Sequence, residues 1–450
     1  MSGGTPDLFI YDRQPMTLSS THPRDQIAAI MTRIYRNGLT TLSGGNLSIR
    51  DDDGGLWITP AGLGVTPTGI DKGRLRPEDV VRMRADGSVK GAQRPSSEVP
   101  FHRAITDRRP DVRAVVHAHP AALVSFSLVH RVPEVRITPQ VFQVSGPVGL
   151  AAYALPGSAE LGEKIAAQFG EGFNNVILEN HGVVCGGPDL LTAFQRLEAL
   201  EYAARIEIRA RGLGEVKTLS DAQLACLETG EPLAEVRPDA PDEAESALRR
   251  QMVEIMQRGC ARQLFTSSQG VISARLGGDR FLITPSGRDR EDLGEEDIVR
   301  IDSGRREAGK SPSRAARLHR AVYAVNPDVN SVVSGQPVHA TAYAVSTARF
   351  DTRTIPESYT LLAEVPLLPF EMPYREPEAA ARCLSIRQPV VMVENDGVIA
   401  VGRSILQAFD RLEVAETSAR SLIETAALGE LKPIQPSDLE QLTTRFVPHL

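Results

Sequence analysis

The stretch Asp111-Val-Arg-Ala-Val-Val-His117-Ala-His119-Pro120 ends a β-branched run in two histidines. Residues two apart on a strand share a face, so both rings can reach one ion. A third histidine sits in Glu179-Asn180-His181-Gly182, a turn flanked by glycine. Three neutral imidazole nitrogens leave coordination positions open, the layout of a catalytic metal rather than a closed structural one. Alone, the pair reads more plainly as two polar residues at a strand end. Repetition of the surrounding chain changes that reading.

Pro110-Asp111-Val112 recurs as Pro327-Asp328-Val329, and Ala193-Phe-Gln-Arg-Leu-Glu198 recurs as Ala408-Phe-Asp-Arg-Leu-Glu413. Thr66-Pro-Thr-Gly69 matches Thr284-Pro-Ser-Gly287, Glu78–Val81 matches Glu296–Val299, and Ser43–Arg50 aligns with Ser268–Arg275. A spacing of about 217 residues is too long for a solenoid and means a duplicated domain. The first copy carries about seven extra residues near Ala61 to Val65. The expected organisation is an N-terminal arm (1–20), a first domain (21–230), a proline-rich and acidic linker (231–241) and a second domain (242–450).

Within the first copy, periodicity predicts helices over Arg24–Gly38, Glu98–Thr106 (with Ser96 or Ser97 as N-cap), Ala159–Phe169 and Asp189–Gly212. It predicts strands over Leu56–Thr59, Val80–Arg84, Ala114–His117 and Asn175–Leu178. Strands interleaved with helices give an α/β layered domain.

In the second copy His117, His119 and His181 fall on Ser334, Gln336 and Asp396, while flanking residues persist. Ligands of one metal would be lost as a set; unrelated packing histidines need not be. Glu98, in Pro95-Ser96-Ser97-Glu98, is the candidate acid/base, since a carboxylate beside a metal-polarised carbonyl can move the neighbouring carbon-bound proton. Its plain alternative is a helix-capping glutamate. Opposite it, however, stands Pro312-Ser313-Arg314-Ala315, which lacks the carboxylate too.

Ser43-Gly44-Gly45-Asn46, Thr66-Pro67-Thr68-Gly69 and Ser96-Ser97 offer hydroxyls, an amide and backbone N–H groups that can cradle a phosphate. Each segment alone is an ordinary turn, and the second copy replaces Asn46 by Val271 and Ser97 by Arg314. His102 has a counterpart in His319, so both read as structural. His22, His130, His339 and His449 lack a convergent context, and Trp57 reads as core.

The 450 residues are 41% apolar and 24% charged with a net charge of −7, the composition of a soluble globular protein. No basic run supports a nucleic-acid or anionic-membrane partner. No apolar run approaches the roughly 18 residues that span a bilayer, and the N-terminus lacks the pattern of a secretory signal. Four scattered cysteines argue against a disulfide framework and for buried filler in a cytoplasmic protein.

Taken together, Ser43–Arg50, Thr66–Val81, Pro95–His102, Ala114–Pro120 and Asn180–Val184 resemble, in this order, the class II aldolase/adducin family. The resemblance covers nearly all of the first copy and, more weakly, the second. It implies two tandem α/β/α sandwich domains, the second degenerate and without metal ligands. It implies His117, His119 and His181 as ligands of a divalent metal, Zn2+ first, with Fe2+, Mn2+ or Co2+ compatible. It also implies Glu98 as acid/base and Asn46, Thr68, Gly69, Ser96 and Ser97 as the substrate-phosphate site, with Ala61/Gly62 competing for the place of Thr68/Gly69.

The implied function is a metal-dependent aldolase or lyase acting on a small phosphorylated hydroxy-carbonyl substrate through a metal-stabilised enediolate. Epimerisation, dehydration, decarboxylation or iron-dependent oxygenation at the same site are alternatives, as is an adducin-like assembly role without catalysis. Active sites of the family lie between neighbouring subunits, so a homo-oligomer is expected, a dimer forming a pseudo-tetramer. Arg314, Tyr343, Tyr359 or Tyr374 are then conceivable donors from the second copy.

Overall fold

The computed structural model describes residues 21–62, 70–90, 93–228 and 233–446. The expected N-terminal arm, Thr68, Gly69 and His449 lie outside the described residues.

The first module opens with helix α1 (Pro23–Arg36), whose N-cap His22 accepts from the Arg24 amide at 3.2 Å. Ile27, Ile30, Met31 and Ile34 recur at helical spacing and are buried. There follow β1 (Asn46–Arg50), β2 (Leu56–Ile58), β3 (Val81–Met83), β4 (Val89–Lys90), α2 (Val99–Arg108), β5 (Ala114–Ala118), α3 (Ala121–Leu128) and α4 (Pro139–Ser145). The module closes with β6 (Val148–Ala151), α5 (Ala159–Gly170), β7 (Asn175–Leu178), β8 (Gly182–Gly187) and α6 (Leu190–Leu213).

Its sheet runs β4-β3-β2-β1-β5-β8-β7-β6, with only β6 and β7 parallel. Every residue of β5 and β8 is buried, as expected of strands covered on both faces. Strand alternation splits β5 between two layers. Ala114, Val116 and Ala118 pack with α1, α3 and α6, whereas Val115 packs with Phe101, Ile105, Leu161 and Phe169 of α2 and α5. His117 shares the face of Val115 and meets Phe101 edge-on, ring centroids 5.5 Å apart. This is an α/β/α sandwich.

After α7 (Asp221–Ala225), the joining segment contributes β9 (Glu235–Val236). The second module comprises α8 (Glu243–Ala261), β10 (Val271–Gly277), β11 (Arg280–Ile283), β12 (Val299–Asp302), β13 (Arg305–Glu307), α9 (Ala316–Val325), β14 (Ser331–Gly335) and α10 (Val338–Ala344). Then come α11 (Pro356–Leu362), β15 (Leu367–Leu368), α12 (Met372–Arg375), α13 (Pro377–Arg382), β16 (Val390–Val393), β17 (Gly397–Gly402), α14 (Ile405–Thr425) and α15 (Pro436–Phe446). The order β15-β16-β17-β14-β10-β11-β12-β13-β9 repeats the first sheet, with β9 added in parallel at the far edge. Register is kept as well as order: Asn46 faces His117 across β1/β5, and Val271 faces Ser334 across β10/β14.

The modules share a buried joint. Ile137, Val141, Tyr202, Ile206 and Ala210 pack against Val338, Ala342 and Val345. Around it, Arg33 pairs with Asp289 at 2.5 Å and Glu291 at 3.4 Å, and Glu198 accepts from the Ser267 amide at 2.8 Å. Among the described residues, no helix is long and apolar enough to cross a membrane. Cys185, Cys226 and Cys260 are buried.

Two local readings change. The predicted helix over Glu98–Thr106 begins at Val99, with Glu98 rather than a serine at the N-cap and no side-chain capping bond. Ser43–Arg50 is more than a turn, since Asn46 starts a central strand.

Candidate active site

His117 lies on β5, His119 just beyond its end, and His181 in the tight turn between β7 and β8. That turn closes because Asn180 adopts φ 54°, a left-handed conformation that asparagine tolerates. The three rings lie with centroids 4.7, 4.8 and 5.1 Å apart, and one nitrogen from each lies within 4.8 Å of the others. His117 Nδ1 donates to the Val183 carbonyl at 2.9 Å, so its proton sits there and Nε2 presents a bare lone pair. His119 Nε2 lies 2.9 Å from that atom. The backbone is crowded beside this pair: Gly45 has φ 69°, and a Cβ there would fall 2.7 Å from the His117 carbonyl oxygen.

Glu98 joins the cluster. Its Oε2 is 3.3 Å from His117 Nε2, and its Oε1 is 3.6 Å from His181 Nε2. The capping alternative fails because the carboxylate accepts from Asn46 Nδ2 at 2.6 Å instead of from a helix amide. Behind Asn46 stands His102, whose Nε2 donates to Asn46 Oδ1 at 2.5 Å while Nδ1 accepts from Ser48 Oγ at 2.7 Å. The assignment follows from the amide: Nδ2 must give its hydrogen to the carboxylate, so Oδ1 faces His102. The reading of His102 as purely structural therefore needs amending, since its ring fixes Asn46, which fixes Glu98. The signal was the four-residue step from Glu98 to His102, one turn of a helix.

Burial holds the imidazoles neutral. The His117 ring is pushed well below its usual range by burial, then by the neighbouring histidines; burial also lowers His119 to about 4 and His102 to about 3. Neutral rings keep lone pairs available near pH 7. Two buried atoms of these residues, Glu98 Oε1 and His181 Nδ1, have no hydrogen-bond partner. Three neutral nitrogens, a carboxylate and orphaned polar atoms in one basin suit a divalent cation.

A second group escaped the sequence reading. Lys72 is only 3% exposed, donates to the Gly45 carbonyl, and is lowered to about 8 by burial, an effect opposed by Glu98. Its signal was the counterpart Arg290, a cation at the same distance beyond the Thr-Pro-Ser/Thr-Gly motif.

Of the expected substrate groups, Ser96 is buried and its Oγ accepts from the Glu98 amide at 3.3 Å, while Ser97 is exposed one residue away. Asn46 has its amide committed to Glu98 and His102. Ala61 is buried, and it accepts from the Ile70 amide at 3.1 Å. Among the four second-copy candidates, Tyr343 is buried in the second core, Tyr359 bonds Thr443, and Arg314 and Tyr374 line the second module's own cavity.

The second module keeps the frame without the three histidines. His319 Nδ1 meets Ser273 Oγ at 2.8 Å, as His102 meets Ser48, but with Val271 in place of Asn46 its Nε2 turns to Ser334 at 3.3 Å. Gln336 Nε2 reaches Asp396 at 3.4 Å, in the places of His119 and His181.

The sequence pattern of the class II aldolase and adducin N-terminal domain matches residues 25–208 and again 250–423. The 5-deoxy-D-ribulose 1-phosphate aldolase of Bacillus thuringiensis serovar kurstaki is 33% identical over 207 residues, 45% of this chain and 91% of that protein. The 3-oxo-tetronate 4-phosphate decarboxylase of Haemophilus influenzae is 34% identical over 200 residues, 43% of this chain and 90% of that protein. The L-fuculose phosphate aldolase of Methanocaldococcus jannaschii is 32% identical over 186 residues, 41% of this chain and 95% of that protein.

Proposed function

The chain belongs to the class II aldolase and adducin family, and we propose that its first module is a metal-dependent carbon–carbon lyase for a small phosphorylated hydroxy-carbonyl compound. The observation that carries this reading is Glu98, whose carboxylate faces His117 and His181 nitrogens at 3.3 and 3.6 Å with one oxygen unpartnered. Relatives named as sugar-phosphate aldolases support the substrate class.

A divalent cation held by His117, His119 and His181, with zinc first and iron, manganese or cobalt compatible, would supply Lewis-acid polarisation of a substrate carbonyl. Glu98 takes the proton from the hydroxyl on the carbon that departs as an aldehyde. It then returns that proton to the carbon that keeps the bonding electrons. Asn46 and His102 hold the carboxylate in register during both transfers. Ser96 and Ser97, with Thr68 and Gly69 outside the described residues, are the proposed phosphate contacts.

Metal analysis of protein purified without chelator, together with carbonyl-release assays on phosphorylated ketoses and hydroxy-keto acids, tests the assignment. Glu98→Gln is expected to keep its metal and lose turnover; a fully active His117→Ala would contradict the ligand roles. The similarity to a decarboxylase favours one second reading, C–C cleavage with release of carbon dioxide. Carbon dioxide in place of aldehyde as the product would select it.

A further inference from the structure

Where the first module gathers its histidines, the second encloses a cavity of about 200 Å³ lined by Ser334, Gln336 and Asp396. First-module residues Pro139 and Gln140 complete its wall, and Gln140 Nε2 donates to Ser268 Oγ at 2.5 Å. The cavity offers one carboxylate and no imidazole from these positions, a poor set for a transition metal.

Its chemistry is that of an anion site. Arg290 lines it and is only 5% exposed. Nη1 of that guanidinium donates to the Pro285 and Arg288 carbonyls at 2.7 and 3.3 Å, while the buried Nε has no partner. The flanking acids are engaged elsewhere: Asp289 pairs with Arg33, and Glu291 with Arg33 and Arg36. Burial lowers Arg290 only to about 10, so it remains cationic near pH 7. Asp289 still favours that charge from a distance, but no carboxylate of a described residue bonds the guanidinium, and a buried cation so placed calls for a direct anionic partner.

Two further features extend the site. Arg314 lines the cavity from an exposed position and forms no ion pair with a described residue. Gln269 lines it too, with a buried Oε1 that has no partner. Asp396 accepts from Tyr374 OH at 2.7 Å and from Gln336 at 3.4 Å, and its acceptor oxygens suit ligand hydroxyls.

We infer that the second module binds a small hydroxylated oxyanion without a metal, its phosphate or carboxylate on Arg290 and Arg314 and its hydroxyls on Asp396 and Gln269. A planar guanidinium fork matches either oxyanion. The inference is independent of the reaction assigned to the first module, since none of these residues belongs to the histidine basin.

Isothermal titration calorimetry on the full-length chain tests it, with glycerol 3-phosphate and glycerate as probes and glycerol as the neutral control. Titrations are made in the wild type and in a His117→Ala/His119→Ala variant, which removes the first module's ligand set. The expected result is saturable binding of at least one anion in both backgrounds, none of glycerol, and at least tenfold weaker binding on adding Arg314→Ala. Arg290→Met should weaken it further. Should that buried substitution unfold the chain, the exposed Arg314→Ala still decides. Binding of glycerol 3-phosphate alone identifies a phosphorylated ligand, of glycerate alone a carboxylated one, and of both a general oxyanion site. Absence of binding in the histidine variant, equal binding of glycerol, or indifference to Arg314→Ala overturns the inference.

Discussion

Asn46 stands directly opposite His117 on the neighbouring antiparallel strand, and its amide donates to the Glu98 carboxylate at 2.6 Å. One residue thus couples the strand that carries a candidate ligand to the candidate acid/base. Asn46→Ala should leave the metal content unchanged and lower kcat by about 10–100-fold, the usual cost of losing an outer-shell partner. Metal analysis beside steady-state kinetics checks both halves, and full activity would sever the coupling.

His102 positions Asn46 from behind, whereas its counterpart His319 meets only Ser273 and Ser334. His102→Ala is expected to lower turnover by about tenfold or more with metal retained, and His319→Ala to leave turnover near wild type. Equal losses in the two variants, tracked by their melting temperatures, would mean a role in folding alone.

Burial lowers Lys72 to about 8 beside Glu98. It is charged below that pH and neutral above it, so wild-type kcat/KM should decline as pH rises past 8. Lys72→Met should be slower at neutral pH and lack this alkaline limb; Lys72→Arg should push the limb to higher pH. A limb unchanged in both variants would exclude the lysine.

His319 is pushed to about 3 by burial, against an ordinary value of 6.5. A depressed histidine keeps the folded state neutral while the unfolded chain takes up a proton below 6.5. The wild type should therefore lose stability relative to His319→Gln as pH falls, by about 1.4 kcal/mol per pH unit from 6.5 toward 4. Urea unfolding of both proteins across that window measures the difference, and a wild type that does not lose stability relative to His319→Gln on acidification would refute it.

Arg33 is largely buried between Asp289 and Glu291, with burial opposing and the two acids favouring its charge. Arg33→Met strands the Asp289 carboxylate in the joint, while Glu291 keeps Arg36, and should cost about 3–5 kcal/mol. Equilibrium denaturation reads this directly; a loss below 1 kcal/mol would mean that the pair is effectively solvated.

The duplication and the sandwich were legible because flanking motifs survive in both copies while strand periodicity and caps persist. Asp189 caps the long helix as its sequence suggests, accepting from the Thr192 amide at 2.7 Å. Convergence of His117, His119 and His181 was legible through their joint replacement. Less readable were groups whose role depends on long-range register. Lys72 and His102 look ordinary in sequence, and only the pairing of β1 with β5 brings Asn46 between Glu98 and His102. Nor could local patterns reveal the second module's cavity, since it needs α4 of the first module as a wall.

The apolar seam of Tyr202, Ile206 and Ala210 against Val338, Ala342 and Val345 bears on how the polypeptide can be divided. Either half made separately would show water a greasy stripe and tend to precipitate. Made together as two unlinked pieces, the halves have matching faces with which to find one another and reconstitute the whole.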